Sequence, residues 1–356
     1  MVTMTHEFTR VVAGVDTHAD SHTAAVCDLL GRPLGTRTFP ATAAGNQQLL
    51  EWITDQGTPT AVGVEGTGSY GAGLTRALQA TGITVLEVNR PDRRIRRSRG
   101  KSDPIDAGAA AAAVLAGSTA GVPRSRDGIT EAIRVLHTTR RTAVKARTAA
   151  INTLGQLIIT APDQLRAQLE PLTGVKRVAM AAALRPGADL ADPLTATKKA
   201  LRRLARRIQD LDTEIADATA ELDALTQQAA PDLRAQFGVG PEVAAQLIVT
   251  VGGNPDRLTS EASFAALCGT SPIPASSGKR TRHRLNRGGD RQANRALYVI
   301  AMTRMRYHEP TKAYIARRSN ELTNKEILRC LKRYIARELH PILKRSLAPP
   351  TRQDAA

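Results

Sequence analysis

Apolar and polar positions change their spacing along the chain, and each spacing predicts a different kind of structure. In residues 11–90, short apolar runs bounded by Gly and Pro alternate with two amphipathic stretches. Short runs bounded by turn residues are typical of strands, and the amphipathic stretches are typical of helices. The predicted order is β-β-β-α-β-α-β, and an alanine-rich segment that begins at Asp103 adds a final helix.

The middle of the chain has a helical spacing. Its clearest feature is a heptad seam formed by Leu201, Leu204, Ile208, Leu211, Ile215, Ala218, Leu222 and Leu225. This seam predicts a coiled coil, and a looser apolar stripe from Ile133 to Ile158 precedes it. Two interpretations stay open because the seam does not name its partner. The helices form an antiparallel pair within one chain, or the seam joins a homo-oligomer, a dimer or a tetramer.

The last part of the chain is also helical in pattern, except for a loop of small and basic residues around 270–290. We therefore predict an α/β domain at 1–126 and a helical, coiled-coil region at 127–231. A mainly α C-terminal domain follows at 232–345, and a disordered tail at 346–356.

Charge is distributed unevenly between the two ends of the chain. The formal net charge of +17 over 356 residues indicates a polyanionic partner, most often nucleic acid. Residues 1–90 carry 8 acidic against 5 basic side chains, whereas residues 232–356 carry 22 basic against 10 acidic ones. This asymmetry favours an acidic catalytic site served by a basic binding surface.

The cysteine spacing and the hydropathy bear on the compartment. The 3 cysteines are far apart in sequence, which argues against a disulfide framework or a zinc site and indicates a reducing cytosol. No apolar run approaches the roughly 18 residues that a membrane span needs. We expect a cytoplasmic, nucleoid-associated protein with no membrane partner.

Four carboxylates fall at positions that the predicted topology brings together. Asp16 ends the first predicted strand and Glu65 the fourth, and these strands lie side by side in a sheet of this kind. Asp103 and Asp106 begin the last helix and share one of its faces, with Cβ atoms about 5–6 Å apart. Clustered carboxylates repel one another unless a cation lies between them. Because Mg²⁺ prefers oxygen ligands, we expect Mg²⁺ there, with Mn²⁺ as the alternative. Such ions suit phosphodiester displacement.

Each of these acids also has a structural interpretation when it is taken alone. Asp103 can cap its helix, Asp106 suits the positive end of the helix dipole, and Asp16 can stabilise a turn after the strand. The catalytic interpretation is favoured because all four occur in the right topological order.

Two basic clusters are predicted to bind the nucleic-acid backbone. The first directly precedes the aspartates and consists of Arg93, Arg94, Arg96, Arg97, Arg99 and Lys101. The second lies in the C-terminal loop and consists of Lys279, Arg280, Arg282, Arg284, Arg287, Arg291 and Arg295.

The segments GVDTH, VEGTGSYG and KSDPIDA together resemble the RuvC-like DEDD insertion-sequence transposases, the Piv/MooV-type, bridge-RNA-guided recombinases. The resemblance covers almost the whole chain and includes the motif around SSGKRTRHRLNRGGDRQANR. It implies an RNase H/RuvC-like N-terminal domain and places the DEDD acids at Asp16, Glu65, Asp103 and Asp106. Ala19 stands where a basic residue is usual in the family, and EGTGSYG differs slightly from the usual turn; neither departure removes a carboxylate.

The resemblance also implies a nucleophile. In the family a catalytic serine directly precedes Gly in the C-terminal motif, which is Ser277 here, with Ser276 as the alternative. On the residues alone, a flexible Ser-Gly turn in a solvated basic loop is the better interpretation. The resemblance further implies cleavage and strand exchange of DNA through a 5′-phosphoserine linkage, with a guide RNA encoded by the element.

The sequence therefore predicts a DNA transposase or recombinase that cuts and rejoins phosphodiester bonds. Two alternatives remain at this point. One is a metal-dependent nuclease of the Holliday-junction resolvase kind, with water as nucleophile. The other is a non-enzymatic architectural protein that binds nucleic acid through its basic surface.

Overall fold

The computed structural model describes residues 10–89, 102–119, 121–252, 258–276, 278 and 283–348. The chain divides into two compact units. The first contains residues 1–127 with 252–257, and the second contains 128–251 with 258–356. The long central helices and the C-terminal helices thus share one unit, and the boundary predicted at residue 231 stays a prediction, as does the tail, most of which lies outside the described residues.

The first unit is built on one mixed sheet with helices on both faces. Its elements are β1 (Arg10–Thr17), β2 (Ser21–Asp28), β3 (Pro33–Pro40), α1 (Ala43–Gln56), β4 (Thr58–Glu65), α2 (Ala72–Ala80), β5 (Val85–Val88) and α3 (Asp103–Leu115). The strand order is β3-β2-β1-β4-β5. β1 runs antiparallel to β2 and parallel to β4, and β5 runs parallel to β4. The predicted order of elements is confirmed, and this topology is consistent with the RNase H-like fold.

The two faces of the sheet are covered by different helices. On β1, Val11, Ala13 and Val15 belong to the buried cluster that includes residues of α1 and α2. Val12 lies on the other face and packs with Ala111 of α3. Because side chains alternate along a strand, Asp16 falls on the same face as Val12, which is the face that α3 covers.

Close approach of α3 to the sheet depends on glycine and alanine. A Cβ atom added at Gly14 would overlap the backbone of Ala107 and Ala111, and one at Gly63 would lie 2.9 Å from the carbonyl oxygen of Ala110. Glycine in a strand interior often marks such an approach of another backbone. The alanine-rich segment therefore allows α3 to pack closely on the sheet, and this packing holds the first turn of α3 against the end of β1.

The second unit is almost entirely helical. Its elements are α4 (Gly128–Ile159), α5 (Asp163–Leu169), α6 (Gly174–Ala183), α7 (Pro193–Ala229), α8 (Pro231–Arg234), α9 (Pro241–Val251), α10 (Glu261–Leu267), β6 (Ile273–Pro274), β7 (His283–Arg284), α11 (Arg291–Tyr307), α12 (Glu309–Arg318) and α13 (Asn324–Ser346). A core of α9, α11 and α13 residues dominates its C-terminal part.

The predicted heptad seam packs within the chain. Leu222 of α7 shares a buried cluster with Ile133 of α4, whereas Leu201, near the other end of α7, shares one with Leu154. Between them, the Arg140 Nε donates a 2.7 Å hydrogen bond to the Thr219 hydroxyl. The pairing runs in opposite directions along the two helices, so α4 and α7 form an antiparallel pair. An intermolecular coiled coil is not shown, and a homo-oligomer stays a prediction. None of the helices within the described ranges is both long and apolar enough to cross a membrane.

Candidate active site

The register of the sheet brings the first two acids to one edge. β1 and β4 are parallel neighbours, and Val15 pairs with Val64. Asp16 and Glu65 each follow the paired valine, so both lie where the strands end. The Thr17 hydroxyl donates a 2.7 Å hydrogen bond to the carbonyl oxygen of Glu65 and ties the two strand ends together.

A glycine turn follows Glu65 directly. Gly66 has a φ of 75°, a left-handed conformation that other residues rarely adopt. Its carbonyl oxygen accepts hydrogen bonds from the backbone N–H groups of Ser69 and Gly71. The chain therefore turns away sharply, and the Glu65 side chain, which is half-buried, stays at the edge of the sheet.

Asp16 is buried beside a partner from α3. Only 5% of Asp16 is exposed, and among the described residues its Oδ2 atom has no hydrogen-bond partner. The His18 Nε2 lies 3.2 Å from that Oδ2 and 3.4 Å from Oδ1 of Asp103. One ligand atom from each of these three residues lies within 4.8 Å of the others. The structure thus brings Asp16 and Asp103 together around an imidazole.

Asp106 lies one helical turn beyond Asp103 but in a different environment. Asp106 is 4% exposed and occupies the buried face of α3 together with Ala107, Ala110 and Ala111. The Asp103 side chain is 46% exposed. Asp106 therefore faces the sheet, while Asp103 lies at the rim of the site.

Sequence reasoning did not single out His18. It lies two residues after Asp16, and residues at that spacing share a face where a strand continues. This spacing within GVDTH was the available signal. The His18 imidazole is the group that lies between the Asp16 and Asp103 carboxylates.

The basic run that precedes α3 cannot be placed. Arg93, Arg94, Arg96, Arg97, Arg99 and Lys101 all lie outside the described residues. Their binding of a nucleic-acid backbone stays a prediction.

The predicted serine region lies in a hairpin of the second unit. β6 and β7 pair antiparallel, with Ile273 opposite Arg284 and Pro274 opposite His283. Ser276 and Gly278 lie in the connection, Ser276 is exposed, and Gly278 has a φ of 57°. Ser277 lies outside the described residues, as do Lys279, Arg280 and Arg282. Four other predicted contacts are exposed on β7, on the following loop and on α11: Arg284, Arg287, Arg291 and Arg295.

The base of this hairpin is closed by a partly buried polar network. The Asn294 side chain donates hydrogen bonds to the carbonyl oxygens of Cys268 (2.8 Å) and Gly269 (3.2 Å), and it accepts one from Lys332 Nζ at 2.9 Å. Asp290 caps α11, accepts a hydrogen bond from Thr250, and donates its own backbone N–H to the carbonyl oxygen of Leu267. The network fixes both ends of the loop that carries the serines.

Lys332 is an unusual member of this network, and sequence reasoning missed it. Burial lowers the pKa of its ammonium group, and nearby Arg329 lowers that pKa further. Its hydrogen-bond partner is 38 residues away in sequence, so no local pattern could have identified the pair.

Two family matches cover the two regions that hold these sites. Residues 13–160 match the IS110 DEDD transposase family, and residues 231–316 match the transposase IS116/IS110/IS902 family. Each of these two regions is thus similar to part of an insertion-sequence transposase. The first match contains all four predicted acids, and the second contains both candidate serines.

A curated relative points the same way. The chain is 28% identical over 139 residues to the insertion element IS900 uncharacterized 42 kDa protein of Mycobacterium paratuberculosis. The aligned part is 38% of this chain and 33% of that protein, so the chain spans about a third of the length of the relative it matches.

Proposed function

We propose that the protein cuts and rejoins DNA during transposition, with Asp16, Glu65, Asp103 and Asp106 as the acids of its catalytic site. The observation that carries this proposal is the buried Asp16 carboxylate, whose Oδ2 has no hydrogen bond within the described residues and lies on the same face of the sheet as α3. A buried carboxylate is costly unless its charge is compensated, and the His18 imidazole 3.2 Å away makes no hydrogen bond to this oxygen, so the position favours a cationic ligand.

The donor set fits Mg²⁺, with Mn²⁺ as the alternative. Carboxylate oxygens suit both ions, whereas imidazole suits softer transition metals, so the acids and not His18 are the proposed ligands. When bound, such an ion supplies positive charge that stabilises the oxygens of a phosphodiester displacement. The packing of α3 on Gly14 and Gly63 keeps the acids in place for it.

A metal-dependent cleavage assay tests this proposal. DNA carrying an end of the element is incubated with the protein and increasing Mg²⁺, and nicked product is measured. Asp16→Asn is expected to lower the rate by about 100-fold or more, since electrostatic groups at reacting centres contribute on this scale. Asp20→Asn is the matched control, because Asp20 is exposed and lies four residues away.

The outcomes separate the candidate functions. Full cleavage by Asp16→Asn, or cleavage that excess chelator does not reduce, would contradict the metal site. Binding without cleavage under every metal condition would favour the architectural alternative.

We further propose Ser277 as the nucleophile, with Ser276 as the alternative. The bond from the serine Oγ to phosphorus forms as the P–O3′ bond breaks, which leaves a 5′-phosphoserine and a free 3′-hydroxyl. The serine hydroxyl loses one proton and the leaving 3′-oxygen gains one, so the number of protons is unchanged. The exposed hairpin position of Ser276 and the positive φ of Gly278 support a sharp, accessible turn at this point. The arginines of the hairpin would hold the phosphate.

A covalent trap tests the nucleophile. The reaction is stopped on a nicked substrate, the protein is digested, and the peptide that spans residues 271–279 is examined by mass spectrometry for an attached nucleotide. Ser277→Ala should abolish the adduct and strand joining but keep DNA binding, whereas Ser276→Ala should be much milder. No adduct, with an active double-alanine variant, would assign the chemistry to water and favour the resolvase alternative.

A guide RNA encoded by the element is the last part of the proposal, and it rests on the family resemblance and the net charge of +17. RNA that purifies with the protein is sequenced after a salt wash. One short RNA from beside the gene would support the guide, and a random sample of cellular RNA would refute it.

A further inference from the structure

A cleft in the second unit lies where α4, α9 and α11 meet. Its volume is about 100 Å³. α4 contributes Arg140, Arg141 and Lys145, α9 contributes Gln246, and α11 contributes Arg295. On α4, Arg141 and Lys145 are four residues apart, so these two cations lie on one face of the helix.

The cleft has an excess of positive charge. Glu242 is a carboxylate on its lining, and it lies 3.9 Å from Arg140, whose Nε is already bonded to Thr219. Within the part of the chain that the structure describes, Arg141, Lys145 and Arg295 have no carboxylate partner. The Nε of Arg141 is buried and has no hydrogen-bond acceptor there. A buried donor of this kind needs an acceptor, because leaving it unpaired costs free energy.

The floor of the cleft is formed by buried and half-buried polar side chains and its rim by exposed cations, an arrangement that suits one phosphate group. Gln246 is buried and is held by a 3.1 Å hydrogen bond from its Nε2 to the Thr250 hydroxyl. Arg140 and Arg141 are half-buried, whereas Lys145 and Arg295 are exposed at the rim. A cleft of about 100 Å³ has room for a phosphate group.

We propose that this cleft binds a phosphate of a nucleic-acid backbone, contacted by Arg141, Lys145 and Arg295. Arginine forks match phosphate oxygens, and rim cations can reach the neighbouring phosphates of a continuous strand. The inference rests on the proposed function, because it takes the polyanion to be the nucleic acid on which the protein acts. It adds α4, a helix to which no nucleic-acid contact had been assigned, to the surface of the C-terminal loop.

The test is the salt dependence of binding, measured on the full chain. Affinities for a labelled duplex DNA and for a labelled single-stranded RNA, each of random sequence, are determined over a series of salt concentrations. The double variant Arg141→Gln/Lys145→Gln is compared with Arg203→Gln/Arg207→Gln. The control pair is exposed on α7 and has the same four-residue spacing and the same change of charge.

Each lost phosphate contact should reduce the slope of log affinity against log salt by about 0.9 for duplex DNA and about 0.7 for a single strand. For the cleft variant we expect the slope to fall by the amount that corresponds to about two phosphate contacts. For the α7 variant we expect a fall that corresponds to less than one contact. Arg295→Gln, an exposed substitution on a different helix, should lose about one and does not depend on the folding of the double variant.

Loss on DNA alone, on RNA alone or on both identifies the nucleic acid that occupies the cleft. Slopes for the cleft variants that equal the slope of the α7 control on both probes would overturn the inference. Because this experiment measures binding and not cleavage, its result for the cleft is independent of the result of the cleavage assay on Asp16→Asn.

Discussion

The acidic edge of the first unit and the serine hairpin of the second differ in charge and in how they are supported. The acids are fixed by the ends of adjacent parallel strands and by a helix that packs directly on glycine. The hairpin has strands of two residues each, and its position depends on side-chain hydrogen bonds at its base. Backbone packing therefore positions the proposed metal ligands, whereas a polar network holds the two ends of the hairpin.

This difference in support fits the different roles proposed for the acidic edge and for the serine hairpin. A metal site needs ligands held to within a fraction of an ångström, and regular elements provide that precision. A nucleophile that must reach a strand of nucleic acid is better carried on an exposed loop held at its two ends. If the account is right, substitutions in the two regions should fail in different ways.

The largest expected effect separates catalysis from binding. Glu65→Gln and Asp106→Asn should each lower DNA cleavage by about 100-fold or more while leaving the affinity for DNA unchanged or slightly higher, since each removes a negative charge. Arg284→Gln and Arg287→Gln should mainly affect DNA binding: each should weaken the affinity for DNA and reduce the salt dependence of that affinity. The measurements are product formation at saturating protein and equilibrium binding. Acid variants that lose binding as much as cleavage would contradict the comparison.

The next effect tests the packing that holds the acids. Gly14→Ala should destabilise the protein by about 1–3 kcal/mol or more, because its methyl group would overlap the backbone of α3. Gly108→Ala is the matched control. It lies within α3 with no atom within 4 Å of its added Cβ, so it should stabilise the helix by about 0.5–1 kcal/mol. Denaturant unfolding measures both, and equal effects at the two glycines would refute the role assigned to the close approach.

A smaller effect should appear at the base of the hairpin. Asn294→Ala leaves the Lys332 ammonium without its hydrogen-bond acceptor and should cost about 1–3 kcal/mol. Hydrogen exchange of residues 267–290 should become faster, and strand joining should fall more than nicking. Asn286→Ala is a control in the same segment, since the Asn286 Oδ1 accepts a hydrogen bond from the Gly288 N–H within the loop. Unchanged exchange in the Asn294 variant would show that the network does not hold the hairpin.

The smallest effect is a pH dependence of stability. Burial lowers the pKa of His137. The positive charges of Arg141 and Arg140 lower this pKa further, whereas the negative charge of Glu242 raises it. The unfolded chain therefore binds a proton more readily, and stability should fall as the pH drops below about 6.5 toward the lowered folded-state pKa. His137→Gln should flatten this loss in urea unfolding of the nucleic-acid-free protein. The same substitution at exposed His283 is the matched control, and equal slopes in the two variants would contradict the assignment.

Much of the first unit could be predicted because its information is local. Turn-bounded apolar runs identified the strands, and the positions of Asp16 and Glu65 at strand ends followed from the topology. The glycines and alanines that permit close packing were visible as composition, although their contacts were not. His18 was missed because an imidazole near an acid has many structural explanations.

The second unit was harder for a physical reason. Its heptad seam could be recognised, but its partner helix, α4, could be named only from the three-dimensional contacts. The short helices α5 and α6 are too brief for a clear period. The tie between Asn294 and Lys332 joins two helices that are far apart in sequence, and no pattern of residue types signals it.

Direct Mn²⁺ binding tests whether the acidic edge of the first unit holds a divalent cation. Free Mn²⁺ is followed by electron paramagnetic resonance as it is titrated with the full chain, without nucleic acid. The account predicts saturable binding by the wild type and by Asp20→Asn, and its loss in the double variant Asp16→Asn/Asp106→Asn. Equal binding by the wild type and the double variant would place the cation elsewhere and contradict the account.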